Sequence, residues 1–266
     1  MKFNKALFAT ATLAFGTLTS AFANQTLVVA ASPVPHAEIL RFVQPYLKEQ
    51  GIDLKIKEFT DYVLPNKVVS SGEADANFFQ HQPYLDVYNA QYKTDIIGGF
   101  GVHIEPFGIY STKLKAITDV KKGASVIVPN DPSNEGRALL LLQTAGLIEL
   151  KDPTNILATE RDIAKNPYKL KITPVEAANI PRVYKSADIG LINANYALQA
   201  GLNPSKDALV VEQTGPYVNF IAYRKVNAND PRIKALEAAL NRKEVYDFIV
   251  QKYKGAVVPS FNPTKK

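Results

Sequence analysis

The chain has 266 residues, 46% of them hydrophobic and 21% charged, with 31 Lys and Arg, 25 Asp and Glu, and no cysteine. That length suits one large domain or two lobes of ordinary size, and the lack of cysteine excludes disulfides and thiolate metal sites within it. The formal charge of +6 is scattered with no polybasic block, which argues against a docking face for nucleic acid or anionic lipid and for solvated surface charge.

The first residues, MKFNKALFATATLAFGTLTSAFANQ, place Lys2 and Lys5 before an apolar run from Ala6 to about Leu18, then Ala21-Phe22-Ala23 ahead of Asn24. A basic start, a short apolar stretch and small residues at the cut predict a cleavable signal peptide over 1–23. The run is too short and too rich in threonine to span a bilayer, which takes about 20 apolar residues. An exported protein is expected.

The remaining chain opens with TLVVAAS (26–32), a β-branched run that predicts a buried strand, followed by the helical pattern HAEILRFVQPYLKEQG closed by Gly51. DLKIKEF (53–59) alternates as a strand, DYVLPNKVVSSG (61–72) has helical spacing, and ADANFF (74–79) returns to the sheet. A helix then resumes at Gln80 or Pro83 and runs to about Tyr92. Strand and helix keep alternating through SVIVPND, PSNEGRALLLLQTAGL, ADIGLI, NANYALQAGL, ALVVEQ and YVNFIAYRK, and the chain finishes on the helices DPRIKALEAALN and EVYDFIVQKY. This alternation predicts an α/β protein with mainly parallel sheets. IEPFGIYSTK (104–113) and GPYVNFIAYRK (215–225) read as crossings between two lobes, with lobe I formed by 24–107 plus 222–266 and lobe II by 108–221. The competing reading makes both stretches core strands of one sheet.

Three features carry chemistry. In VPNDPSNEGRALLLLQ, Asp131 suits an N-cap and Pro132 the first helical position, so a helix starts at 131 or 132. Asn134 and Arg137, three residues apart, then share a face. A guanidinium beside free helix N–H groups can hold a carboxylate in bidentate fashion; the plainer alternative is a surface arginine bonded to Glu135 or solvent. Asn219 sits inside the strand YVNFIAY, where an amide needs a buried partner or a ligand, and Asn193 follows ADIGLI at a strand's carboxyl end, where open α/β sheets bind ligands. In ANFFQHQPYL (76–85), alternation sends Phe78 and Phe79 to opposite faces, so that one ring can belong to the core while the other faces a cleft. No HExxH, GxSxG, GxGxxG or GxxxxGK[ST] occurs, so neither an enzyme nor a cofactor is expected. A metal held by His36, His81 and His103 from separate elements is the competing use of the histidines.

The motifs ASPVPHAEIL, EFTDYVLPNKVVSSGEADANFFQHQPYL, HIEPFGIYSTK, VPNDPSNEGRALLLLQ and INANYALQAGL resemble, in fixed order and over nearly the whole mature chain, those of the methionine-binding lipoprotein (NlpA-type) family. That resemblance implies a bilobal periplasmic-binding-protein fold, two α/β lobes joined by two crossing strands. It also implies L-methionine or a close relative as ligand, and an inner-membrane ABC permease with a cytoplasmic ATPase as partner for a monomeric protein. By the same resemblance, Tyr62, Phe79, His81 and Tyr84 form an aromatic pocket, and Asn134, Arg137, Asn193 and Asn219 a polar clamp; Asn195 stands outside that set. One departure is plain: most members carry a cysteine at the cleavage point, where this chain has Asn24 after Ala21-Phe22-Ala23. A free periplasmic protein is therefore expected.

Overall fold

The computed structural model describes residues 25–213 and 215–263, so the expected signal peptide lies outside the described residues. Strand β1 (Gln25–Ala31) runs parallel to β2 (Ile52–Glu58) and β3 (Ala76–His81). Helices α1 (Glu38–Glu49) and α2 (Leu64–Ser71) make the connections. In α1 the buried positions are Ile39, Leu40, Val43 and Leu47, the stripe that a 3.6-residue period lays on a sheet. Gly51, at φ 77°, lets the chain turn directly into β2. Helix α3 (Gln82–Tyr92) and strand β4 (Ile96–Ile104) complete this first passage.

The chain then builds a second sheet. The elements along this stretch are β5 (Gly108–Tyr110), β6 (Ser125–Pro129), α4 (Pro132–Thr144), β7 (Glu149–Leu150) and β8 (Ile163–Lys165), which pair antiparallel as a small sheet of their own, β9 (Lys171–Val175), α5 (Ile180–Val183), β10 (Ile189–Ile192), α6 (Ala194–Gln199), α7 (Pro204–Asp207) and β11 (Val210–Val211). It returns through β12 (Val218–Arg224), α8 (Pro231–Leu240), α9 (Lys243–Tyr253) and β13 (Val258–Pro259). The first sheet has the order β13-β4-β12-β3-β1-β2 and the second β11-β5-β10-β6-β9. Each packs its own apolar core: Leu27, Phe78, Ile221 and Leu236 lie in the first, and Phe107, Val126, Leu139 and Leu191 in the second.

Both sheets are mixed, which corrects the expectation of mainly parallel ones. β12 is antiparallel to β3 and β4, and β5 is antiparallel to β10 and β11. The strands next to the passages between sheets arrive in the opposite sense to the βαβ units beside them. This has a local consequence, because the register sets Asn219 opposite His81 on one neighbour and His103 on the other. The register with both neighbours shifts around Phe220, an irregularity of the kind sheets carry beside functional sites.

Helix α4 begins as its residues demand: Asp131 accepts the Asn134 N–H at 3.0 Å and Pro132 fills the first turn. A Cβ on Gly136 would stand 2.3 Å from the Ile156 carbonyl oxygen, so the helix is seated against backbone that only glycine admits. Gly136→Ala should therefore cost about 1–3 kcal/mol of stability through overpacking. A chemical denaturation midpoint that did not move would show that the 156–158 segment yields freely.

Candidate functional site

The eight residues singled out from the sequence line one narrow cavity. Tyr62, Phe79, His81, Tyr84 and Asn219 come from elements of the first sheet; Asn134, Arg137 and Asn193 come from the second. The rings form a cluster, with Tyr62 5.9 Å from Phe79 and 5.8 Å from Tyr84, and Phe79 5.6 Å from Tyr84, centroid to centroid. Phe78, on the opposite face of β3, is fully buried in the first core while Phe79 lines the cavity.

His81 caps α3 and its protonation can be read from its partners. Nδ1 accepts the Tyr84 N–H at 3.3 Å, so Nε2 carries the proton and donates to Asn134 Oδ1, also at 3.3 Å. Burial, followed by the neighbouring Arg137 cation, holds its pKa down to about 3, so the ring is neutral at pH 7. Asn134 Oδ1 also accepts from Asn193 Nδ2 at 2.9 Å, and Asn134 Nδ2 is fixed on the Asp131 carboxylate. The buried Asn193 Oδ1 has no partner among the described residues. Further contacts join the two sides: Tyr62 Oη donates to Asn195 Oδ1 at 2.6 Å, and Tyr196 Oη to the Thr60 carbonyl at 2.9 Å.

Arg137 is 3% exposed, so the alternative of a surface arginine is overturned. Its bidentate partner is neither Glu135 nor left open for a ligand. Nε and Nη2 donate to the two oxygens of Glu212 at 3.0 and 2.5 Å, and Nη2 donates to the Glu105 carbonyl at 2.8 Å. The guanidinium also lies 3.9 Å from the Tyr217 ring centroid. An arginine this deeply buried needs a carboxylate, yet Glu212 lies 75 residues away in the chain and nothing local marks it.

The histidines do not converge as the metal alternative expected. Among the described residues, the one metal-competent group is His36, His103 and Glu105, whose ligand atoms lie within 4.8 Å of one another; His81 stands apart with both ring nitrogens engaged. Glu105 Oε1 accepts from His103 Nε2 at 2.8 Å and lies 3.2 Å from His36 Nε2, which is also 2.9 Å from Asn219 Oδ1. Both Nδ1 atoms are buried without a partner among the described residues, so they lack the outer hydrogen bond that a metal-bound imidazole normally donates. Burial holds His36 down to about 4 and His103 to about 3, and pushes the Glu105 carboxyl up. Glu105, Gln80 and Ala194 are lining residues that sequence reasoning missed. For Glu105 the signal was present, an acid in an otherwise apolar crossing segment.

A cavity walled by side chains from two α/β sheets, at the carboxyl ends of β3, β6 and β10, is the arrangement of the periplasmic binding proteins, and the fold belongs to that class. The family model described as NlpA lipoprotein matches residues 27–261, and the chain belongs to that family. It is 45% identical to the methionine-binding lipoprotein MetQ of Bacillus subtilis over 241 residues, 88% of this chain and 87% of that one. It is 41% identical to the D-methionine-binding lipoprotein MetQ of Escherichia coli, covering 83% of each. A solved nutrient binding protein from Burkholderia cenocepacia bound to methionine superposes with a TM-score of 0.86 at 47% identity, over 88% of this chain and 100% of that one. No helix among the described residues is long and apolar enough to cross a membrane.

Proposed function

We propose that the protein is the periplasmic substrate-binding component of an ABC importer, that it takes L-methionine or a close analogue between two lobes, and that it delivers this ligand to a membrane permease rather than transforming it. The observation that carries this reading is the division of the cavity into a ring-lined wall and a wall of amides with a guanidinium. A thioether is polarizable and gains about 0.3–1.5 kcal/mol per ring contact, which suits Tyr62, Phe79 and Tyr84. The zwitterion needs a cationic donor and neutral acceptors. Because Glu212 occupies one edge of Arg137, the ligand carboxylate is met by the Nη1 side, and the unpartnered Asn193 Oδ1 is the acceptor for the ammonium. The methionine-bound relative and the printed names of the MetQ relatives support the same ligand.

Lobe I comprises the first sheet and lobe II the second. The pairing of Val218 with Ile104 supports a second crossing ahead of Val218 rather than at 221. Closure is a population shift drawn by contacts made only when the lobes meet, and the Tyr62–Asn195 and Tyr196–Thr60 hydrogen bonds are of that kind. Titration calorimetry on the unliganded protein should show L-methionine binding in a 1:1 ratio. Binding of no methionine stereoisomer, sulfoxide or dipeptide would overturn the reading.

A further inference from the structure

One side chain meets both walls of the cavity without belonging to the ligand set, and it lies on the segment that crosses between the sheets. We propose that Glu105 is a positioning residue that sets the cavity's polar groups on both lobes at once, through His36 to Asn219 on one side and through the start of α6 on the other. The ligand half of this inference rests on the proposed function; the network itself does not.

The geometry has three arms. Glu105 Oε1 gathers the Nε2 atoms of His36 and His103, and the shared Nε2 of His36 also meets Asn219 Oδ1. Glu105 Oε2 accepts the Asn195 N–H at 3.0 Å, in the first turn of α6, which Asn193 immediately precedes. The Glu105 carbonyl accepts from Arg137 Nη2. Glu105 is 6% exposed and His36 and His103 no more than 1%, so water cannot take over an arm that lets go. An ionised carboxylate is an acceptor at both oxygens, which is what three N–H donors in two directions require. A glutamine of the same shape is not, because its amide nitrogen would face an N–H. One arm must then release, and the freed groups are buried.

The test is Glu105→Gln, read first without ligand. The imidazole nitrogen resonances of His36 and His103 should move while those of His81, which has its own partners, stay in place, and the thermal midpoint should keep the variant folded at room temperature. Methionine affinity should fall about tenfold or more, the size expected for a lost charge-assisted hydrogen bond. His36→Gln, which removes the link that runs from Glu105 to Asn219 and leaves the His103 and Asn195 arms in place, serves where Glu105→Gln does not fold. It should cost a similar factor, and in the double variant the two losses should not add, as expected for residues acting through one network. Unmoved His36 and His103 resonances, an affinity within threefold of the parent, or additive losses would each overturn the assignment. A parent protein that binds no methionine would instead defeat the proposed function, leaving the ring resonances to decide the network.

Discussion

Arg137→Ala is expected to lose about 2–5 kcal/mol of methionine affinity and, separately, about 3 kcal/mol of stability. Both losses follow from the same guanidinium. Its Nε–Nη2 edge neutralises Glu212, whose side chain is 13% exposed, and in the proposed function its Nη1 side meets the ligand carboxylate. Removing the cation leaves one carboxylate uncompensated in the empty protein and two in the complex. The two effects separate with Glu212→Gln in the same background: stability should recover, since no charge is then stranded, while affinity should not. Titration calorimetry paired with chemical denaturation reads both. Unchanged methionine affinity in Arg137→Ala would remove Arg137 from the ligand set, and a double variant no more stable than the single one would show that the ion pair is not the origin of the stability loss.

The adjacent pair Phe78 and Phe79 should divide stability from binding. Phe78 is fully buried among Leu27, Ile221 and Leu236 and stands edge-on to His36, ring centroids 4.7 Å apart. Phe78→Ala should cost about 3–5 kcal/mol of folding free energy through lost burial and the cavity left behind. Phe79 touches the ring cluster instead. Phe79→Ala should weaken methionine by about 1–3 kcal/mol through lost apolar and sulfur–ring contact, while an alanine-sized ligand, which reaches no ring, loses little. Equal losses for the two ligands would argue against a side-chain pocket at Phe79. A Phe78→Ala protein as stable as the parent would argue against the core placement.

The histidines add a check on this electrostatic picture. All three are held below their usual value of 6.5, so the unfolded chain takes up protons near pH 6.5 that the folded chain refuses until about pH 4 or 3. Their contribution to stability is therefore complete above pH 6.5 and is lost as pH falls towards those values. Glu135, held up to about 7 chiefly by burial, acts in the opposite sense between about 4.5 and 7, as do Glu105 and Asp131, whose carboxyls burial also pushes up.

Local rules were enough to read much of this protein from its residues. The Asp131 cap and Pro132 defined the start of α4 because both act within one turn, Gly51 marked the end of α1 because a left-handed residue is required there, and alternation separated Phe78 from Phe79 because a strand has a period of two. The eight residues carried over from the family resemblance also meet at one cavity, a convergence that no rule of period or capping predicts.

What only the tertiary structure decided are the relations over long separations. The direction of β12 made the sheets mixed and set Asn219 between His81 and His103. The choice of Glu212 over Glu135 for Arg137, and the gathering of His36, His103 and Asn195 on Glu105, depend on which segments the folded cores bring together. A buried charge must find a counter-charge, and that requirement is visible in one residue type at one position. The partner's identity is not, because hydrogen bonds and Coulomb attraction act across a few ångströms of space whatever the distance along the chain.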